Sequence, residues 1–134
     1  VQNHTLTHPS LKGLPYARQR AEICGQQTVL AREFGERPTL FRPPRGHYDS
    51  TTLRAVADCG LRASVMWGAN MQPEGLRLDN GTDRLRPGEI VLFHFFPPER
   101  LSGKSHTTLT ELTRTLLRTI TEQGYAVGRI EDYV

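Results

Sequence analysis

Short apolar runs alternate with longer amphipathic stretches along the whole chain, and no repeat or low-complexity segment interrupts them. This alternation is the pattern of a parallel α/β fold. Between Tyr16 and Phe34, residues Ala17, Ala21, Ile23, Cys24, Val29 and Leu30 recur at near-helical spacing and Gly35 follows as a stop, which predicts a first helix. Thr39-Leu40-Phe41 predicts a short strand, ended by Arg42-Pro43-Pro44 because consecutive prolines cannot donate to a ladder. Asp49-Ser50 caps a second helix that turns Leu53, Val56 and Ala57 inward and ends at Gly60. Ala63 to Trp67 and Glu89 to His94 are nearly continuous apolar runs, as buried parallel strands are, the latter entered through the turn Arg86-Pro87-Gly88. A helical stripe of Leu109, Leu112, Leu116, Leu117 and Ile120 fills Thr107 to Gln123, Gly124 ends it, and Tyr125-Ala126-Val127 begins a last strand. Met71 to Arg86 is polar and punctuated by Gly and Pro, and predicts a long loop near a functional rim.

The chain has 134 residues, the size of one ordinary domain. Its 37% apolar and 23% charged residues, with 12 Gly and 9 Pro spread throughout, exclude collagen-like, coiled-coil and strongly disordered classes. No apolar run reaches the roughly 18 residues of a membrane span, and Val1-Gln2-Asn3-His4 does not resemble a secretion signal. Seventeen basic against 14 acidic residues leave a net charge of +3, with the basic residues scattered. A nucleic-acid partner is therefore not expected, since it would call for a basic stripe with interleaved aromatics. Cys24 and Cys59 match no zinc-ligand spacing. They read as two small buried apolar residues, with a single disulfide in an exported protein as the alternative.

Three places carry chemistry. In Asn3-His4-Thr5-Leu6-Thr7-His8-Pro9, two imidazoles three residues apart can reach one metal ion, and neutral imidazole suits Zn²⁺. The same spacing also occurs between ordinary loop histidines. Phe41-Arg42-Pro43-Pro44-Arg45-Gly46 and Val91-Leu92-Phe93-His94 each end a predicted strand with polar groups, where an α/β barrel places catalysis.

Taken in order, Asn-His-Thr-x-Thr-His-Pro, Phe-Arg-Pro-Pro-x-Gly, Leu-x-His after an apolar strand, a helix and then Gly124-Tyr125 resemble the polysaccharide deacetylases, the NodB-homology domains of carbohydrate esterase family 4. The resemblance runs from Asn3 to Asp132. It implies one domain over residues 1–134, a partial distorted (β/α) barrel whose N-terminal strands are missing from this chain. It also implies a secreted or cell-surface hydrolase that removes acetyl groups from N-acetylglucosamine polymers such as peptidoglycan or chitin, or from acetylated xylan. The implied cofactor is Zn²⁺ or another divalent metal such as Co²⁺, Mn²⁺ or Ni²⁺.

By the same resemblance His4 and His8 are metal ligands, and Thr5 braces their loop by hydrogen bonding. His94 is the general acid, and Arg42 orients the catalytic-base aspartate. Leu92 lines the acetyl-methyl pocket, while Pro43, Pro44, Arg45 and Gly46 form a groove wall whose backbone N–H faces the oxyanion. Trp67 either shapes the site or is core. This division of labour meets the needs of deacetylation: a Lewis acid toward the acetyl carbonyl, charge stabilisation for the oxyanion and a proton for the leaving group.

Three features depart from the family pattern. No strand ending in Thr-Phe-Asp-Asp, the source of base and third ligand, is present. Trp67 is followed by Gly68-Ala69-Asn70 rather than by an acid-rich segment ending in Asp-Trp, so no carboxylate tunes His94 from its usual place. Arg45 stands where the family commonly has Tyr, which makes the groove more cationic. The chain by itself is therefore expected to be inactive and to self-associate through its uncovered barrel edge. The alternative is a carbohydrate-binding pseudoenzyme with the same fold. No role falls to His47 or His106.

Overall fold

The computed structural model describes residues 1–104 and 106–134. They form two units, residues 1–66 with 130–134, and residues 67–129.

In the first unit, α1 (Tyr16–Phe34) follows Pro15 and ends at Gly35, whose φ of 76° is the left-handed stop that glycine makes cheaply. These bounds are the predicted ones, but the inward face is not. Gln19, Glu22, Ile23, Gln27 and Leu30 are buried, whereas Ala17 and Ala21 are exposed. The polar members of that stripe point inward because each anchors backbone or side chain. Gln27 donates to the Pro38 carbonyl at 2.8 Å and accepts from Asn3 at 3.0 Å. Gln19 donates to the Leu14 carbonyl at 2.9 Å and accepts the Thr52 hydroxyl at 2.6 Å.

β1 (Leu40–Phe41) pairs in parallel with β2 (Ala63–Ser64), and on its other side Asn3 bridges in parallel to Phe41. The run to Trp67 thus yields a ladder only over its first two residues. Asp49 caps α2 (Ser50–Asp58) reciprocally, accepting the Thr52 N–H while the Thr52 hydroxyl accepts the Asp49 N–H. α2 buries Thr52, Ala55 and Val56, with Cys59 continuing the stripe. Leu53 and Ala57, expected inward, are exposed. The Thr52–Gln19 bond and the half-cystine at Cys59 fix the helix phase instead.

Cys24 and Cys59 form a disulfide with their Cα atoms 5.0 Å apart. The preferred reading of two unlinked thiols is thereby corrected. α1 and α2 pack around Ile23, Ala55, Val56 and Leu11, and this shared core brings the two cysteines within bonding range.

In the second unit, β3 (Ala69–Gln72) and β4 (Gly75–Leu78) make an antiparallel hairpin, and β5 (Val91–Phe93) adds to β3 in parallel. The expected loop from Met71 to Arg86 is corrected over its first part. Fully buried Ala69 and Met71 alternate with Asn70 and Gln72, and Pro73-Glu74 makes the turn. α3 (Pro98–Lys104) was not predicted. α4 (Leu109–Glu122) starts at a capping box of Thr108 and Glu111 and buries Leu112 and Leu116 against Met71, Phe96 and Leu101. Leu117, expected inward, is 49% exposed. Tyr125 to Val127 forms no strand: the Tyr125 N–H closes the helix end on the Ile120 carbonyl at 3.0 Å, its hydroxyl donates to the Leu85 carbonyl, and Val127 is exposed.

Two outcomes follow from this packing. The disulfide spans 35 residues of sequence, so by chain entropy Cys24→Ser/Cys59→Ser should lose roughly 3–4 kcal/mol of unfolding free energy, and wild type in reductant should match it. Urea titration with and without reductant measures this. The Asp49 carboxyl is held down at about 2, from an ordinary 3.8, by N–H donation first from Gly13 and then from Thr52, with burial opposing and the Gln19 amide and Thr52 hydroxyl assisting. A carboxyl lowered on folding stabilises above its unfolded pKa and loses that contribution as pH falls to its folded pKa. The melting temperature should therefore fall between about pH 4 and pH 2, and Asp49→Asn should flatten that slope.

Candidate functional site

The site begins with strand register. The Asn3 N–H donates to the Leu40 carbonyl at 3.1 Å and the Arg42 N–H donates to the Asn3 carbonyl at 3.0 Å. The Asn3 carboxamide is buried and donates to the Ile23 carbonyl at 2.9 Å and to Gln27. With Asn3 so fixed, His4 lies beside Arg42, and its Nδ1 makes a short hydrogen bond to the Arg42 carbonyl. A carbonyl only accepts, so Nδ1 carries the proton; in the neutral ring Nε2 then keeps the lone pair, the tautomer a metal-ligating histidine needs.

From His4 to His8 the loop is tight and strained. Thr5 (φ 68°) and His8 (φ 59°) adopt left-handed backbone, unusual for a β-branched threonine. Thr5 holds this conformation from within. Its hydroxyl donates to the His4 carbonyl and accepts the His8 N–H at 3.1 Å, and its own N–H donates to Asn3 Oδ1 at 3.0 Å. The bracing expected of Thr5 is present, and the imidazoles of His4 and His8 stand edge to face with centroids 4.9 Å apart.

From outside, Glu22 grips the same loop. This α1 carboxylate is 4% exposed; Oε2 accepts the Leu6 N–H at 3.1 Å and the Thr7 N–H at 2.9 Å, while Oε1 accepts the Thr7 hydroxyl at 2.8 Å. Arg18 approaches Oε1 at 3.5 Å. Burial pushes the carboxyl pKa up, but the Thr7 hydroxyl and N–H, Arg18 and the Leu6 N–H outweigh it, so the carboxyl lies below its ordinary range. Hydrophobic periodicity passes over Glu22. The available signal was its position one residue before Ile23, on the stripe that Gln19 and Gln27 share.

Beside the histidine loop, Arg42 is half-buried, and that burial lowers its guanidinium pKa. Pro43 and Pro44 are buried and lead into a 3-10 turn over Pro44–Gly46, with Arg45 exposed at φ 58°. Prolines have no N–H, and the Gly46 N–H is used on the Pro43 carbonyl at 3.0 Å. The Arg45 N–H is left as the donor that the turn itself does not consume. His47 meets the Ser10 hydroxyl at 3.0 Å in an exposed contact. His106 is likewise exposed.

Trp67, Leu92 and His94 belong to the second unit. Leu92 is half-buried on β5, in register with Asn70 of β3, on the sheet face opposite the Met71 and Phe93 core. The buried Asn70 Oδ1 next to it has no hydrogen-bond partner among the described residues. His94 is exposed just past β5, its ring 5.9 Å from that of Phe96. Trp67 is half-buried just before β3.

As a donor set, the His4 and His8 imidazoles fit two positions of a divalent ion of Zn²⁺ type. Among the described residues no group of three or more His, Cys, Asp or Glu could hold a metal. The rest of a coordination sphere would come from water or from side chains beyond that pair.

Residues 1–64 match the family model of polysaccharide deacetylase. An uncharacterised protein of Streptomyces coelicolor is 52% identical over 138 residues, covering 100% of this chain and 52% of that protein. Among solved structures, a family 4 carbohydrate esterase from Streptomyces lividans in complex with acetate is 29% identical, with a TM-score of 0.69, over 97% of this chain and 65% of that one. A CE4 family pseudoenzyme from Bacillus anthracis superposes with a TM-score of 0.75 at 23% identity, over 98% of this chain and 45% of that one, a likeness of fold. The chain thus spans about half the length of its Streptomyces coelicolor relative, and its mixed α/β fold is similar to that of these two family 4 structures.

Proposed function

We propose that this chain, which belongs to the polysaccharide deacetylase family, is the C-terminal part of one larger domain that hydrolyses acetyl groups from a polysaccharide. The carrying observation is the paired histidine loop. His4 has its tautomer set by the Arg42 carbonyl, and His8 stands against it on a strained, braced turn. On this reading His4 and His8 hold a divalent metal, Zn²⁺ or alternatively Co²⁺, Mn²⁺ or Ni²⁺. When bound, such an ion supplies Lewis acidity toward the acetyl carbonyl.

The chain's own residues do the rest. The Arg45 N–H donates to the oxygen on which negative charge develops as water adds to the acyl carbon. Partly desolvated Arg42 orients the carboxylate that takes the water's proton, a carboxylate supplied from outside the segment that carries these motifs. His94 gives a proton to the departing amine or alkoxide; its exposure beside Leu92 suits that role. Leu92 offers apolar surface to the acetyl methyl, Trp67 shapes the groove, and the Pro43–Gly46 turn, with cationic Arg45 exposed, borders the glycan. The disulfide supports work outside the cell, where disulfides persist. No helix among the described residues is long and apolar enough to cross a membrane.

A second reading is a carbohydrate-binding pseudoenzyme. It is favoured by the absence of an acid-rich segment ending in Asp-Trp after Trp67. Acetate release from chitooligosaccharides, peptidoglycan fragments and acetylated xylan, with Zn²⁺ or Co²⁺ supplied, separates the two. A positioned base contributes about 10²- to 10⁴-fold. The chain alone should therefore be slower by at least about 10²-fold than the same chain joined to an upstream segment ending in Asp-Asp, and His94→Ala should remove most of the longer protein's rate. No turnover by the longer protein would favour the pseudoenzyme. Comparable rates for the two would place the base elsewhere.

A further inference from the structure

We infer that Glu22 is a positioning residue for the imidazole pair. Through Leu6 and Thr7 it sets where His8 stands relative to His4, and hence the strength with which the pair takes a divalent cation. The inference rests on the reading of His4 and His8 as metal ligands. A fully helical, 19-residue segment places a carboxylate, 4% exposed, on its inward face. Burying a charge there is unfavourable unless it is matched by donors. Among the described residues, every hydrogen bond to that carboxylate comes from Leu6 or Thr7, two of the three residues between His4 and His8. Arg18, mostly exposed, adds only a solvent-screened ion pair.

The loop needs an outside hold. Thr5 and His8 are both non-glycine residues in left-handed backbone, a conformation that persists only where the surroundings over-determine it. Thr5's own bonds tie it to Asn3, His4 and His8, all within the segment. Glu22 is the group that ties the middle of the loop to a rigid element. Its bonds reach backbone N–H groups on consecutive residues and leave both imidazoles untouched, so it acts through geometry. The nearby glycine supports the same fit: a Cβ on Gly25, one turn further along α1, would stand 2.5 Å from Leu6 Cδ1. The Leu6 side chain therefore lies over α1 where Gly25 leaves room for it, one turn beyond the Glu22 carboxylate that holds the Leu6 N–H.

Glu22→Gln keeps one acceptor oxygen and the side-chain volume but removes the charge and one of the two acceptor oxygens. Thr7→Val removes only the hydroxyl donor at an exposed position, and Thr7→Ser restores it. Calorimetric titration with Zn²⁺ and Co²⁺ alone, with thermal melting and amide exchange of Leu6 and Thr7 on the metal-free proteins, provides the readouts. Loss of orienting partners around ligands typically weakens metal affinity 10- to 100-fold. Acting one step further out, Glu22→Gln should weaken it on the order of tenfold and speed exchange at Leu6 and Thr7, Thr7→Val should weaken it a few-fold, and Thr7→Ser should return it to wild type. A merely structural role would lower the melting temperature and leave the affinity of the folded protein unchanged, which would overturn the inference. Unchanged affinity in His4→Ala/His8→Ala would overturn the ligand reading beneath it instead. Should Glu22→Gln fail to fold, the Thr7 pair decides: affinity equal in Thr7→Val and wild type overturns the inference.

Discussion

Asn3 is held on three sides, by strand bonds to Leu40 and Arg42, by its carboxamide on Ile23 and Gln27, and by the Thr5 N–H on its Oδ1. Shifting its register against β1 by one residue would exchange inward and outward side chains. It would remove the buried carboxamide from α1 and take His4 away from the Arg42 carbonyl. The tautomer of His4, the strained turn at Thr5 and the seat of the loop on Glu22 all presuppose that register. A site assembled on backbone bonds of this kind is rigid because moving it would break several buried hydrogen bonds together.

Where local signals decide the structure, the sequence is readable. Tyr16 and Phe34 bound α1 as its periodicity and Gly35 require, and Asp49 caps α2 as its side chain allows. Periodicity fails where polar groups take core positions. Gln19, Glu22 and Gln27 occupy the inward face of α1 because loops and caps there need partners, and a hydrophobicity pattern registers them as solvent-facing. The β3–β4 hairpin is hidden because Asn70 and Gln72 make the stretch polar on average, though Ala69 and Met71 alternate with them. Tyr125 to Val127 has strand composition but finds no ladder, since the Tyr125 N–H is taken by the end of α4. The histidine pair, the Arg42 turn and His94 were legible as motifs. What positions them was not, because Glu22 and Asn3 act over 15 to 24 residues of separation.

The site residues fall into two groups that the chain holds by different means. His4, His8 and the Arg42–Gly46 turn rest on hydrogen bonds and a disulfide-linked helix pair. Leu92 and His94 rest on a short strand backed by the α4 core. The proposed hydrolase needs both groups and a carboxylate besides, which agrees with a chain that spans about half the length of its relatives.

In the proposed site the Arg42 carbonyl fixes His4 with its proton on Nδ1, so that the neutral ring offers Nε2 to a metal. Long-range ¹⁵N–¹H correlation of the imidazoles in metal-free protein, at a pH where His4 is neutral, tests this directly. The account predicts one tautomer for His4, protonated at Nδ1 and bare at Nε2. A proton on Nε2, or averaging of the two nitrogens as in free imidazole, would contradict it.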